Sequence, residues 1–326
     1  MIRRGVLFVV KCMLRALLCL YFKKIRHGAR TIEQHRPLLF LANHQNALLD
    51  ALLIAAFNQR ETYFLVRSDV FKKPWVAAVL RYFGLRPIYR IRDGKHLVSQ
   101  NDPIFNFFAE MLVQGHCVLI FPEGNHSLRR TVRPLRKGFI EIVDRAFALN
   151  PTLNLGLVTV GLSYEQAKCF RDRVHIQYAA ALDAAPLFVS NLKKKERDSM
   201  LLHLIHSRLS ACTVHIPSDL YSTIEEQLIH EGMNFLEVDD VNGRITQLID
   251  QGIVIHPSEP EASPCRHSTL ERLCYTLGWP LVLIWRTQIR SRIKEEEFIS
   301  TFRFAYFTGI VLMASLLLAI SLICLL

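Results

Sequence analysis

The chain has 326 residues, enough for one large domain or two small ones, and 51% of them are apolar. That hydrophobic content excludes disorder as its general state, and 14 glycines and 13 prolines without a repeating period exclude collagen-like and solenoid architectures. Forty basic against 29 acidic residues give a net charge of +11, which narrows the partners to an anionic membrane or nucleic acid.

The first 22 residues are mostly apolar, with Arg4, Lys11 and Arg15 close together on a helical wheel and Leu7, Val10, Leu14, Leu17 and Leu18 elsewhere. A helix with one cationic stripe and a broad apolar face suits the headgroup plane of a bilayer, or packs as an ordinary helix on the domain that follows. Lys11 and Arg15 interrupt any signal-peptide core and any spanning helix. Leu38–Ala42 is a continuous apolar run that reads as a buried strand. Residues 47–57 have helical composition, 63–66 read as a strand, and 75–83 as a helix stopped by Gly84. Residues 104–113 read as a helix with Asp102 as its N-cap and Pro103 at the first helical position. Further strands are expected at 117–121, 155–162 and 174–180, with a helix at 138–149. Strands alternating with helices predict an α/β fold, a mostly parallel sheet covered by helices.

From residue 191 the pattern changes. Residues 193–209 and 220–236 each read as one helix, and 257–264, with three prolines, as a linker or exposed loop. Residues 273–285 are apolar but short and contain Pro280, which suits an interfacial or re-entrant element. Residues 304–326 carry no charge and would run about 34 Å as a helix, long enough to span a bilayer. Arg286, Arg290, Arg292, Lys294 and Arg303 flank this segment and orient the preceding domain to the cytoplasmic side. The predicted organisation is a membrane-associating amphipathic helix at 1–27, an α/β domain at 28–190, a helical extension and linker at 191–265, and a membrane-anchoring region at 266–326. The eight cysteines form no C-x-x-C pair, which argues against a metal site or a disulfide framework and for a reducing, cytoplasmic face. No basic stretch is interleaved with stacking aromatics, so nucleic acid is not expected as a partner.

Four stretches carry chemistry. Asn43-His44-Gln45-Asn46-Ala47-Leu48-Leu49-Asp50 follows a buried strand and enters a helix, at the strand end where open α/β sheets bind ligands. A His with a nearby Asp can act as a general base, although a histidine there can equally be structural. Without a G-x-S-x-G elbow or an evident nucleophilic Cys, such a base would activate a substrate hydroxyl. Phe121-Pro122-Glu123-Gly124-Asn125-His126-Ser127 follows another strand, with Glu123 a polar group for a substrate or an incidental acid in a tight turn. Gly84 to Arg90 and Arg133 to Gly138 bring guanidinium and ammonium groups that suit phosphate, or form a solvated basic face.

The order of these stretches resembles the glycerolipid acyltransferases, the lysophosphatidate and glycerol-3-phosphate acyltransferase superfamily. The resemblance covers roughly residues 30–180. Asn43, His44 and Asp50 resemble the block N-H-x-S-x-x-D. Phe121 to Ser127 resembles F-P-E-G-T-x-S, Gly84 to Arg90 the block with a Gly and a distal Arg, Lys137-Gly138 the basic-Gly step, and Val158 to Tyr164 the last strand. Five residues, not four, separate His44 from Asp50, which is similar to the fungal-type glycerol-3-phosphate and dihydroxyacetone-phosphate branch and its bacterial relatives. Asn125 stands where Thr is usual and Thr159 where Pro is common.

The resemblance implies the glycerolipid-acyltransferase fold and one-step transfer of a fatty acyl group from acyl-CoA or an acyl carrier protein to glycerol 3-phosphate or lysophosphatidate. It implies His44 and Asp50 as catalytic, and Asn46, Gly84, Arg90, Glu123, Gly124 and Lys137 as substrate-binding, with Arg90 and Lys137 on the phosphate. It requires no bound cofactor, metal or covalent acyl-enzyme. It implies a membrane partner, at the cytoplasmic face of a cell membrane or at the endoplasmic reticulum. The alternatives are a catalytically inactive lipid-binding protein and an acyltransferase for another lyso-lipid or amino-lipid.

Overall fold

The computed structural model describes residues 2–28, 32–89, 100–188, 193–251 and 279–325. Its elements run α1 (Ile2–Tyr21), β1 (Lys24–His27), β2 (Leu38–Ala42), α2 (Ala47–Phe57), β3 (Thr62–Arg67), α3 (Pro74–Tyr82), β4 (Leu85–Ile88), α4 (Asp102–Val113) and β5 (Cys117–Ile120). They continue with α5 (Gly138–Leu149), β6 (Gly156–Tyr164), β7 (Arg173–Tyr178), β8 (Leu182–Asp183), α6 (Ala185–Phe188), α7 (Lys194–Cys212), α8 (Tyr221–His230), α9 (Val238–Asp250), α10 (Trp279–Ile284) and α11 (Ile299–Leu325). Among the described residues eight strands form one sheet, ordered β1-β7-β6-β2-β5-β3-β4, with β8 pairing β6.

The central strands are continuous apolar runs because both faces of the sheet are covered. Every residue of β2, β5 and β6 is buried. Along β2 the pleat divides the core. Leu38, Phe40 and Ala42 pack with α1 and α2, while Leu39 and Leu41 pack with α4 and α5. β2 runs parallel to β5 and β6, and β3 to β4 and β5, so their carboxyl ends meet at one edge. β7 runs antiparallel to β6, and its alternating burial marks a strand with one face less covered. α7 crosses β6 at Gly161, where any side chain would strike the Cys212 carbonyl, since a Cβ would stand 1.7 Å from that oxygen.

Several expectations change. Asp102 is the first residue of α4, not its N-cap, and its carboxylate pairs with Arg145 at 2.5 Å. The single helix expected over 220–236 stops at His230, because Gly232 takes φ 66° and turns the chain, and a second helix, α9, follows. β1 is too short and too charged to announce itself as a strand. Its pairing with β7 comes from tertiary context. Cys12, Cys19, Cys117 and Cys212 carry free thiols, whereas Cys169 is disulfide-bonded, so the reducing reading does not extend to Cys169.

The N-terminal helix forms, but two of its three stripe cations, Lys11 and Arg15, face the protein, while Arg4 is exposed. Lys11 and Arg15 donate to the Asn58 and Ala56 carbonyls at the C-terminal end of α2, and Arg3 pairs with Glu61 at 2.6 Å. Cations at the negative end of a helix dipole neutralise orphan carbonyls. Burial, and then the neighbouring Arg15, pull the Lys11 ammonium down to about 8. The outward face is therefore largely apolar, with Ile2, Val6, Phe8, Val9, Met13 and Leu20 exposed. α1 also packs on α11 through Tyr21, whose ring meets Phe304 edge-on at 5.3 Å. α11 is long and apolar enough to cross a bilayer; few of its described residues are buried, and Leu312, Met313, Leu316, Leu317, Leu318 and Ile320 are exposed.

Candidate active site

Because β2 and β5 are parallel neighbours, the loops leaving them emerge side by side. These loops are residues 43–46 and 121–127. A hydrogen bond of 3.0 Å from the Ser127 amide to the His44 carbonyl ties them together. The His44 ring stacks on Phe121 with centroids 4.0 Å apart.

His44 and Asp50 do not share a helical face, but the turn between them closes the gap. Ala47 takes φ 43° as α2 begins, a left-handed conformation that costs a non-glycine residue about 1–2 kcal/mol. The outcome is a 2.8 Å hydrogen bond between His44 Nδ1 and Asp50 Oδ2. The same carboxylate oxygen accepts the Gln45 and Asn46 amides, each at 2.8 Å. Oδ1 accepts the Tyr164 hydroxyl at 2.6 Å. Asp50 is fully buried and its other partners are two backbone amides and the Tyr164 hydroxyl, so the carboxylate suits a proton on His44 Nδ1, which leaves Nε2 able to act as a base. Burial raises the Tyr164 hydroxyl well above its ordinary value, with the Asp50 charge adding to it, so this phenol stays a donor. Asn43 frames the site from behind. Its side chain takes the Leu162 amide at 2.7 Å and gives to the Leu162 carbonyl at 3.0 Å, stitching β2 to β6.

Glu123 is buried beside this pair. Arg133 donates to Oε2 from Nε at 3.1 Å and again from Nη2, while Oε1 has no hydrogen-bond partner among the described residues. Burial raises the Glu123 carboxyl above its ordinary value, against Arg133, which lowers it. Arg133 also holds the Asn125 side chain and carbonyl, so the residue in place of the usual Thr anchors the loop. Gly124 takes φ 77° in the turn, the left-handed region that favours glycine. Asn46 gives its amide to the Ala167 carbonyl at 3.1 Å, and its buried Oδ1 is unpartnered among the described residues.

Gly84, Lys137 and Arg90 are the remaining sequence candidates. Gly84 lies at the start of β4, at the opposite end of the sheet from His44. Its φ of 81° and the Tyr63 ring 3.1 Å from any added Cβ give it a local role in the turn. Lys137 precedes α5, is largely exposed and pairs with Asp198 of α7 at 3.5 Å. Arg90 lies outside the described residues. The sequence assigns no role to Tyr164, Arg67 or His126, and offers Arg133 only as part of a basic stretch suited to phosphate. Tyr164 ends the strand of the last block and Arg133 opens the basic stretch, so both stood inside recognised motifs. Only the sheet register brings them to Asp50 and Glu123. Arg67 ends β3 and places its guanidinium 5.7 Å from the Phe298 ring, just before α11.

A histidine–carboxylate pair thus stands at the carboxyl edge of a parallel sheet, beside a buried acid with one oxygen unpartnered among the described residues, an arrangement capable of general-base chemistry. Residues 24–163 match the acyltransferase family model. The chain is 27% identical over 124 residues to an uncharacterized acyltransferase of Schizosaccharomyces pombe, covering 37% of this chain and 18% of that one. It is 30% identical over 129 residues to glycerol-3-phosphate O-acyltransferase 2 of Saccharomyces cerevisiae, covering 39% and 17%. The aligned part thus spans less than a fifth of these relatives. A crystal structure of the 1-acyl-sn-glycerophosphate acyltransferase from Thermotoga maritima is 17% identical, with a TM-score of 0.45 over 64% of this chain and 80% of that one. Over residues 24–163 the chain is thus similar to glycerolipid acyltransferases.

Proposed function

We propose that this protein is a membrane-bound O-acyltransferase that moves a fatty acyl group from a thioester, of coenzyme A or of an acyl carrier protein, to a hydroxyl of glycerol 3-phosphate or lysophosphatidate. The observation that carries the reading is the 2.8 Å His44–Asp50 hydrogen bond beside the unpartnered Glu123 Oε1. His44 Nε2 takes the proton of the acceptor hydroxyl as its oxygen attacks the thioester carbonyl carbon. Asp50 fixes the tautomer and stabilises the imidazolium that forms. The carbon–sulfur bond then breaks, and the proton passes from His44 to the departing thiolate. Glu123 Oε1 accepts a second hydroxyl of the glycerol backbone, and the Asn46 and Gly124 loops shape the pocket. Arg90 and Lys137 are the phosphate ligands that the family resemblance implies, and Arg67 is a further cation at the carboxyl edge.

The acylated product, and lysophosphatidate where it is the acceptor, partition into a membrane, and the exposed apolar faces of α1 and α11 suit an enzyme held there. Basic residues before α11 orient the domain to the cytoplasmic side. The resemblance of the His44–Asp50 spacing to the fungal-type branch favours glycerol 3-phosphate as acceptor, with lysophosphatidate close behind. Offering both acceptors together with an acyl thioester, with products read by mass spectrometry, tests this. Acylated glycerol 3-phosphate as the main product is expected, and exclusive acylation of lysophosphatidate would reassign the substrate.

A further inference from the structure

One group at the site has no part in that scheme. His126 lies in the Glu123 loop, with its ring centroid 5.5 Å from that of His44 and the planes at 84°. On another side it meets the Phe298 ring edge-on at 4.7 Å, at the stem that leads into α11. Both of its ring nitrogens are buried, and neither has a hydrogen-bond partner among the described residues. Leaving two polar atoms buried and unpaired is expensive unless a bound molecule takes them up.

The surroundings narrow what that molecule offers. The reacting hydroxyl must lie at His44, and an acyl chain needs apolar surface, which the Phe298 stem and α11 provide. The group between the two in any acyl donor is the carbonyl. We propose that His126, as a neutral imidazole, donates its N–H to the carbonyl oxygen of the acyl thioester and stabilises the negative charge that develops there. The proposal rests on the acyltransferase reading.

In the step itself the hydroxyl oxygen bonds to the carbonyl carbon and its proton goes to His44. The carbonyl π electrons move onto the oxygen that His126 holds. They return as the carbon–sulfur bond breaks, and the thiolate takes the proton from His44. The ester and a free thiol are the products, and His126 ends as it began. Burial pulls the His126 imidazole down to about 4, with the neighbouring His44, Arg67 and Arg133 adding to the fall and Asp50 opposing it, which keeps the ring neutral near pH 7. A neutral donor suits a developing oxyanion, because it keeps its own proton and needs no reorganisation.

His126→Phe keeps the ring and removes both nitrogens. Full-length protein in phospholipid vesicles, assayed with palmitoyl thioesters and glycerol 3-phosphate, is expected to lose about 10²-fold in kcat. The inhibition constant of the thioether S-hexadecyl-coenzyme A, which has no carbonyl, is expected to stay within about twofold of wild type, because uniform binding is untouched. The melting temperature is expected to hold or rise, since two unpaired buried atoms disappear. His126→Gln, which restores an N–H, is expected to recover at least about tenfold of the loss. A His126→Phe rate within about threefold of wild type overturns the proposal. So does thioether affinity or melting temperature falling in step with the rate, which marks a packing role. If the wild type itself transfers no acyl group, the acyltransferase reading fails and takes this proposal with it. If the wild type transfers and His126→Phe matches it, only this proposal fails.

Discussion

The two sides of the site are built in opposite ways. On one side every oxygen of Asp50 is engaged: it accepts His44, two backbone amides and Tyr164, and the carboxylate is fully buried. On the other side Asn46 Oδ1, Glu123 Oε1 and both His126 nitrogens are buried and unpartnered among the described residues. Folding tolerates a buried polar atom when it is paired, and it leaves one unpaired at a cost of about 1–3 kcal/mol. In the proposed scheme the paired side orients the base and the unpaired side receives the substrate.

That contrast can be broken by substitution, and the expected effects fall in order. His44→Ala should cost on the order of 10²–10⁴-fold in turnover, measured in reconstituted membranes, because it removes the base itself. Glu123→Gln should come next. It weakens a charge-assisted contact to the acceptor, and a rise of roughly tenfold or more in KM for glycerol 3-phosphate is expected. A change confined to kcat would place Glu123 elsewhere in the cycle. Tyr164→Phe acts on the paired side, so it should reduce stability by about 1–3 kcal/mol in denaturant titrations and slow turnover less than either of the others.

The smallest effect lies outside the site. Asp172 is buried, with Oδ2 unpartnered among the described residues, and burial raises its carboxyl to about 7 from an ordinary 3.8. Between those values the folded chain holds a proton that the unfolded chain has released. Stability should therefore fall as pH rises through that window. Asp172→Asn should flatten the fall, so its gain in melting temperature should be larger at about pH 8 than at about pH 5. An equal gain at both would remove Asp172 as the source.

Much of this frame was legible in the sequence, for identifiable reasons. β2, β5 and α5 announce themselves because uninterrupted apolar runs and clear stops coincide with buried elements. His44, Asp50 and Glu123 stood in motifs at strand ends, and sheet topology puts strand ends together. What stayed hidden depends on contacts distant in the chain. Tyr164 lies 114 residues from Asp50, and no local pattern links them. The stripe of α1 was visible, but its direction was not, because the carbonyls that Lys11 and Arg15 bind belong to the end of α2. His126 stands at the unspecified position of the F-P-E-G-T-x-S block. That its nitrogens are buried and unpartnered among the described residues is a property of the fold, which the sequence does not display.

The central claim is that His44, oriented by Asp50, deprotonates an acceptor hydroxyl for acyl transfer. Its most direct test is acyl transfer from a labelled thioester by full-length wild type and by His44→Ala in the same vesicles, with the ester product quantified by mass spectrometry. The account predicts labelled acyl-glycerol phosphate from the wild type and, from His44→Ala, product reduced by at least about 10²-fold. Wild-type turnover by His44→Ala would contradict it.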